Sequence, residues 1–260
     1  MEFWRSSLLG SVPGVVHAVT RRRGGVSRPP YATLNMGLHV GDRNEAVIAN
    51  RRRVLAALGL ALERTVAAEQ VHGAQVVDVT EADAGRGALR YDDAVPGVDG
   101  LVTVSPGVPL LGYFADCLPL LFAHRRGGWV ACAHAGWKGT LAGIAANVVD
   151  RFVRAHGGDP RDLVVALGPS IRPCCYEVSA ELAERFRLAF GAQAVARARS
   201  GKPAVDLVAA NVALLEEKGI HPSQIEIAPD CTACRTDLYF SHRAEGPRTG
   251  RIGAVIAITP

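Results

Sequence analysis

Three side chains able to hold a metal stand far apart in this chain, and each marks the edge of a strand-length apolar run. His72 lies in Gln70-Val71-His72-Gly73, Cys117 in Ala115-Asp116-Cys117-Leu118-Pro119, and His134 in Ala133-His134-Ala135-Gly136-Trp137. A sheet presents side chains to a cleft where a strand gives way to a turn or polar step. A fold that uses the three together must therefore gather three such edges at one place. Two imidazoles and one thiolate suit Zn2+ as three ligands of a tetrahedron, leaving the fourth position for water or substrate. That open position separates a catalytic zinc from a structural one. Taken singly, each residue has a plainer reading: a packed histidine, or a buried free thiol.

The pattern between these segments predicts a single mixed α/β domain over 1–260, with layered sheets flanked by helices. Residues 15–20, 101–104, 110–114, 118–122, 129–134, 163–167, 225–228 and 252–258 read as strands. Residues 66–71 and 75–79 read as two more, folded as a hairpin-like corner around His72 and Gly73. The stretch 24–42 is too rich in Gly, Pro and Asn for regular structure, and 81–98 reads as a surface loop. Helices are expected from Asp42 or Asn44 to Leu58 with Gly59 as the stop, over 141–155 with Thr140 as N-cap, over 179–190 and over 206–218. His134 then sits just upstream of a helix N-terminus, a place that favours an anion. No linker or repeat divides the chain.

Charge and composition exclude several classes. The net charge of +4 is mild, and Arg21-Arg22-Arg23, Arg51-Arg52-Arg53 and Arg125-Arg126 are short runs of the kind found on solvated faces. Aromatic residues make up 6% of the chain, too few for a single-strand stacking platform, so no nucleic-acid partner is expected. No apolar stretch is long enough to span a bilayer, and the first residues carry no convincing leader, so neither a membrane partner nor export is expected. Six cysteines then suit a reducing, cytoplasmic setting. Cys231-Thr232-Ala233-Cys234 is a lone CxxC, read as packed structure, and vicinal Cys174-Cys175 is a poor disulfide staple. Cys132 belongs to the core.

Order and wording add a resemblance. Arg22-Arg23-Gly24-Gly25-Val26-Ser27, Leu34-Asn35-Met36-Gly37, His39-Val40-Gly41-Asp42 and Asn50-Arg51 precede the three metal segments. Leu167-Gly168-Pro169-Ser170-Ile171, Cys174-Cys175-Tyr176-Glu177-Val178, Asp230-Cys231-Thr232, Ser241-His242-Arg243 and Thr249-Gly250-Arg251 follow them. From His17 to Ile258 this series resembles the bacterial purine nucleoside phosphorylase family once described as multicopper polyphenol oxidase or laccase-domain proteins. The resemblance implies an α/β fold and one zinc on His72, Cys117 and His134. It also implies phosphorolysis of adenosine, inosine, guanosine or S-methyl-5'-thioadenosine, with adenosine deamination as a second activity. A peptidoglycan precursor stays open as substrate, and so does the oligomeric state. Met36, His242 and Ala244 depart from the family's commonest wording, and Arg23 stands immediately before the Gly-Gly pair.

Roles follow from that reading. His72, Cys117 and His134 would hold the metal, and Arg51 would cradle phosphate, since a planar guanidinium fork matches phosphate oxygens. Ser27 and Asn35 would meet sugar hydroxyls or base, with Arg243 and Arg251 as further substrate contacts. Asp116, beside a ligand, is a candidate to orient an imidazole. Two other mechanisms compete. Cys117 could be a thiolate nucleophile activated by His134 or His72, as in metal-independent cysteine hydrolases and amidases. Alternatively Cu2+ could occupy the site, because copper outcompetes zinc at most N/S sites. A multicopper oxidase, however, would need many paired histidines, and the eight histidines here are dispersed with no His-x-His.

Overall fold

The computed structural model describes residues 1–259. The first part of the chain forms β1 (Phe3–Trp4), α1 (Ser7–Gly10), β2 (Val15–Thr20), α2 (Asn44–Ala57), β3 (Val66–Ala67) and β4 (Val76–Asp78). The middle forms β5 (Gly100–Thr103), β6 (Leu110–Phe114), β7 (Leu118–His124), β8 (Val130–Ala135), α3 (Trp137–Leu141) and α4 (Ile144–His156). Then follow β9 (Leu163–Leu167), α5 (Ala180–Phe190), β10 (Val195–Arg197), β11 (Pro203–Val205), α6 (Leu207–Glu217), β12 (Ile225–Ile227), α7 (His242–Glu245) and β13 (Ile252–Ile258). The fold is mixed α/β, as the sequence pattern predicts.

Two sheets do most of the work. One runs β1-β2-β13-β6-β3 and the other β12-β9-β7-β8-β5-β4, with β10 and β11 forming a separate ribbon. Alternation along a strand sends successive side chains to opposite faces. On β13, Ile252, Ala254, Ile256 and Ile258 join a core that also holds Leu121, Val130 and Ala166 of the second sheet. Val255 and Ala257 turn instead to Val54 and Leu55 of α2. On β7, Leu118, Leu120 and Phe122 face the other way, onto Ile144 and Val148 of α4 and Leu207 of α6. The layers are thus helix, sheet, sheet, helix. Strands buried on both faces lose the polar alternation of an exposed sheet and read as continuous apolar runs, which is how β7 and β13 look in sequence.

Three sequence expectations need correction. The strands flanking His72 are not a hairpin: β3 belongs to the first sheet and β4 to the second, so residues 68–75 cross between sheets. The helix after His134 does not start on Thr140. It begins at Trp137, breaks at Gly143, whose φ of 81° is left-handed, and resumes as α4. A left-handed residue between two helical segments prevents one continuous ladder of hydrogen bonds. The α2 helix likewise starts at Asn44 without a side-chain cap. Residues 24–42, by contrast, are irregular throughout, as expected.

Candidate metal centre and its surroundings

His72, Cys117 and His134 meet at one end of the space between the sheets, their ligand atoms all within 4.8 Å of one another. Topology does this. His72 lies on the β3-to-β4 crossover, Cys117 on the β6-to-β7 crossover, and His134 near the end of β8, which pairs with β7 so that Pro119 stands opposite His134. Both crossovers turn through a non-glycine residue with positive φ, 61° at His72 and 86° at Asp116. Such conformations are uncommon and persist where surrounding bonds over-determine them.

Those bonds are visible. The Asp99 carboxylate, just before β5, accepts the backbone N–H groups of Val71 (3.2 Å), His72 (3.0 Å) and Gly73 (2.7 Å). It also accepts His134 Nδ1–H at 2.8 Å. Burial pushes the Asp99 carboxyl up, but the His134 contact and these amides outweigh it and hold it below its ordinary value. An ionised carboxylate can only accept, so the Nδ1 proton belongs to His134 and Nε2 is the ring nitrogen left for Cys117 or a metal. Sequence reasoning missed Asp99, whose bonding partners lie 27 and 35 residues away in His72 and His134.

Asp116, a candidate to orient an imidazole, bonds neither His72 nor His134 among the described residues. Its carboxylate accepts Thr232 Oγ1–H at 2.6 Å and the Arg243 N–H at 2.7 Å, and its carbonyl accepts the Ile171 N–H. It therefore clamps three loops against the Cys117 crossover. Gly136 floors the pocket: a Cβ there would stand 3.1 Å from Cys117 Sγ and 3.0 Å from His72.

Charge inside the trio is uneven. Burial pushes the Cys117 thiol up, yet the charge of His134 and hydrogen bonds from His134 and His72 prevail and bring it down to about 6. Burial pushes His134 down, but Cys117 and Asp99 prevail and raise it to about 9. At the rim, His39 opens to solvent with its ring 5.1 Å from that of Tyr91 and 5.7 Å from that of Tyr113. Surrounding protein, then the charges of Arg251 and Arg51, lower it to about 4, so it is neutral at pH 7. Its segment, His39-Val40-Gly41-Asp42, belongs to the resemblance, but nothing in its local sequence marks the imidazole.

Arg51 corrects the phosphate expectation. It is wholly buried, and its guanidinium donates to the carbonyls of Met36, Gly87 and Ala88 and to the Tyr113 hydroxyl, at 2.6–2.9 Å. A phosphate has no access to it. Asn35 and Ser27 are also committed elsewhere. Asn35 bonds Gly37, Asp42 and the Arg251 N–H, and Ser27 accepts from Asn50. Arg251 is different. Its Nη1 donates to Thr249 and Gly250, while Nε and Nη2 have no protein partner among the described residues. Cys117 and Asp116 are near enough for their charges to act on it. Arg243 is exposed, bonds the Cys175 and Glu177 carbonyls through Nη1, and lies 5.2 Å over the Tyr176 ring.

Comparison with known proteins agrees on the family. Residues 16–259 match the family model described as multi-copper polyphenol oxidoreductase laccase. The chain is 44% identical over 246 residues to purine nucleoside phosphorylase YlmD of Geobacillus stearothermophilus, covering 94% of this chain and 90% of that one. It is 34% identical to the Bacillus subtilis protein of the same name, over 94% of this chain and 88% of that one. The crystal structure of YlmD from Geobacillus stearothermophilus superimposes with a TM-score of 0.92 at 40% identity, covering 99% of each chain. The chain belongs to the family that this laccase model defines, among relatives named purine nucleoside phosphorylases.

Proposed function

We propose that this protein is a zinc-dependent purine nucleoside phosphorylase, acting on adenosine, inosine, guanosine and S-methyl-5'-thioadenosine, with adenosine deamination as a slower second activity. The convergence of His72, Cys117 and His134 within 4.8 Å carries this reading, alongside relatives that bear the phosphorylase name. The donor set fits zinc: two imidazoles and a thiol already inclined to ionise, with one imidazole oriented by a buried carboxylate. Bound there, zinc supplies a Lewis acid with an open position for phosphate or water.

The chain's own residues do the rest. In phosphorolysis a phosphate oxygen bonds to C1′ of the ribose, the bond from C1′ to the purine nitrogen breaks, and a proton passes to the departing base. Positive charge grows on the ribose as that bond breaks, so an anion held beside C1′ lowers the barrier. Arg251, with its free guanidinium edge, takes the phosphate-holding role first expected of Arg51. Gly136 leaves the pocket floor open, and Asp116 fixes the loops that carry Thr232 and Arg243. Six unbridged cysteines suit the cytoplasm as the setting.

One observation favours a second reading. Cys117, His134 and Asp99 form a thiol–imidazole–carboxylate series, with the thiol near 6 and the imidazole near 9, the arrangement of an activated cysteine nucleophile. Metal removal separates the two. Adenosine and phosphate should give adenine and ribose 1-phosphate, faster with more phosphate, and inosine more slowly without it. Arg251→Ala should weaken the phosphate dependence more than the deamination. Both reactions should vanish in zinc-free protein and return with zinc. Activity persisting in demonstrably metal-free protein would sink the zinc mechanism and promote the cysteine hydrolase. Phenol oxidation with dioxygen uptake at full copper loading would instead support the oxidase.

A further inference from the structure

Four cysteines that the sequence separates into two unrelated pairs come together in the fold. Cys174 and Cys175 lie on the loop after β9, while Cys231 and Cys234 lie on the loop after β12. Parallel pairing of β9 with β12 and a bridge between Ser170 and Cys231 set the loops side by side. All four sulfurs lie within 4.8 Å of one another. The sulfur of Cys234 is 3.6 Å from that of Cys174 and 3.4 Å from that of Cys175, and the vicinal sulfurs are 3.8 Å apart.

We propose that Cys174, Cys175, Cys231 and Cys234 form a second metal site, holding one structural zinc ion with four sulfur ligands. Bonds of about 2.3 Å at the tetrahedral angle put neighbouring sulfurs about 3.8 Å apart, close to the 3.4–3.8 Å among Cys174, Cys175 and Cys234 and inside the 4.8 Å that bounds all four. An iron–sulfur cluster would hold its sulfurs around several metal atoms and needs wider separations. Four protein sulfurs close the coordination shell, so this ion would have no open position for chemistry.

The surroundings match. The Arg172 N–H donates to Cys231 Sγ at 3.3 Å, the kind of amide-to-sulfur bond that stabilises a ligating thiolate. The Cys234 N–H closes the CxxC turn on the Cys231 carbonyl at 3.1 Å. A zinc with four thiolates carries net negative charge, and arginines lie beside this cluster. The Arg172 guanidinium bonds the Ala228 carbonyl, the Arg243 guanidinium reaches the Cys175 carbonyl, and the Arg199 charge acts on Cys234. The staple would also serve the first site. Thr232, adjacent to Cys231, bonds Asp116, and Asp116 adjoins Cys117.

Zinc content tests the proposal independently of activity. Protein purified under reducing conditions without chelator should contain about two zinc ions per chain, one per site. Cys234→Ser should lose one and keep the other. Cys117→Ser should also lose one, and its remaining zinc should show about four sulfur neighbours near 2.3 Å by X-ray absorption. Should Cys234→Ser fail to fold, the wild-type absorption spectrum still decides, because its mean sulfur count must exceed the single sulfur that the first site supplies. Unchanged zinc in folded Cys234→Ser, iron in place of zinc, or an intact mass showing a disulfide among these cysteines would each overturn it.

Discussion

The loop over 24–42 and the two crossovers between the sheets carry similar polar residues but differ in where those residues spend their hydrogen bonds. In the loop, the side chains of Ser27, Thr33 and Asn35 spend their hydrogen bonds on neighbours inside the protein. Asn50 ties Val26, Ser27, Thr33 and Asn35 together, and Gly25 sits so close that a Cβ would lie 2.2 Å from the Thr33 carbonyl. Arg51, behind it, spends its guanidinium on three carbonyls and a phenol. In the crossovers, backbone and carboxylates are held just as firmly, yet the functional atoms of His72 and Cys117 converge with that of His134 on β8. What separates a site from a scaffold here is where polar atoms are spent: on backbone in the loop, and on one another in the trio.

The largest expected effect tests the scaffold half of that contrast. Arg51→Ala removes a buried cation and leaves the carbonyls of Met36, Gly87 and Ala88 and the Tyr113 hydroxyl without a donor. The loss should be about 3–5 kcal/mol, visible as an earlier midpoint in denaturant unfolding. Zinc content of whatever stays folded should not change. A variant of normal stability whose phosphate dependence had gone would return Arg51 to the site and break the comparison.

What the sequence made legible follows the same line. His72, Cys117 and His134 stand at ends of strand-length runs, and although each alone reads as a packed histidine or thiol, the three together, in segments shared with the family, mark a metal site. The strand over 252–258 and the helix ending near Leu58 are legible because periodicity and stop signals are local. Asp99 is not, because a lone Asp between Val98 and Gly100 shows nothing of the four donors that converge on it. The burial of Arg51 is hidden too, as arginine is seldom fully buried and a basic triplet reads as surface. The cysteine quartet depends on the pairing of β9 with β12, which neither pair of cysteines announces.

A smaller effect probes the support beneath the site. Asp99→Asn keeps the volume but puts an amide, a donor, among three backbone N–H groups that also donate. One side of the new residue must then face a donor unpaired, and His134 loses the carboxylate that fixes its ring. Zinc affinity, read by competition with a chromophoric chelator, should fall about ten- to a hundredfold, the range typical for such partners. Unchanged affinity would mean that the strained crossover at His72 holds its shape without Asp99.

The smallest effect is a count of protons. With Cys117 near 6 and His134 near 9, the pair at pH 7.5 is thiolate and imidazolium. A metal ligand must be an unprotonated imidazole nitrogen, and His134 Nδ1 stays bonded to Asp99, so zinc must displace the proton on Nε2. The sign follows. Affinity should rise on the order of tenfold per pH unit between about 6 and 9, as the displaced proton costs less to remove. Below about 6 the thiolate also takes a proton and the dependence should steepen. Calorimetry in two buffers of different ionisation enthalpy counts the protons released at pH 7.5. A count near zero would mean that Cys117 is already a thiolate beside a neutral His134, so the two would hold no ion pair at this pH and His134 would lie below the value near 9.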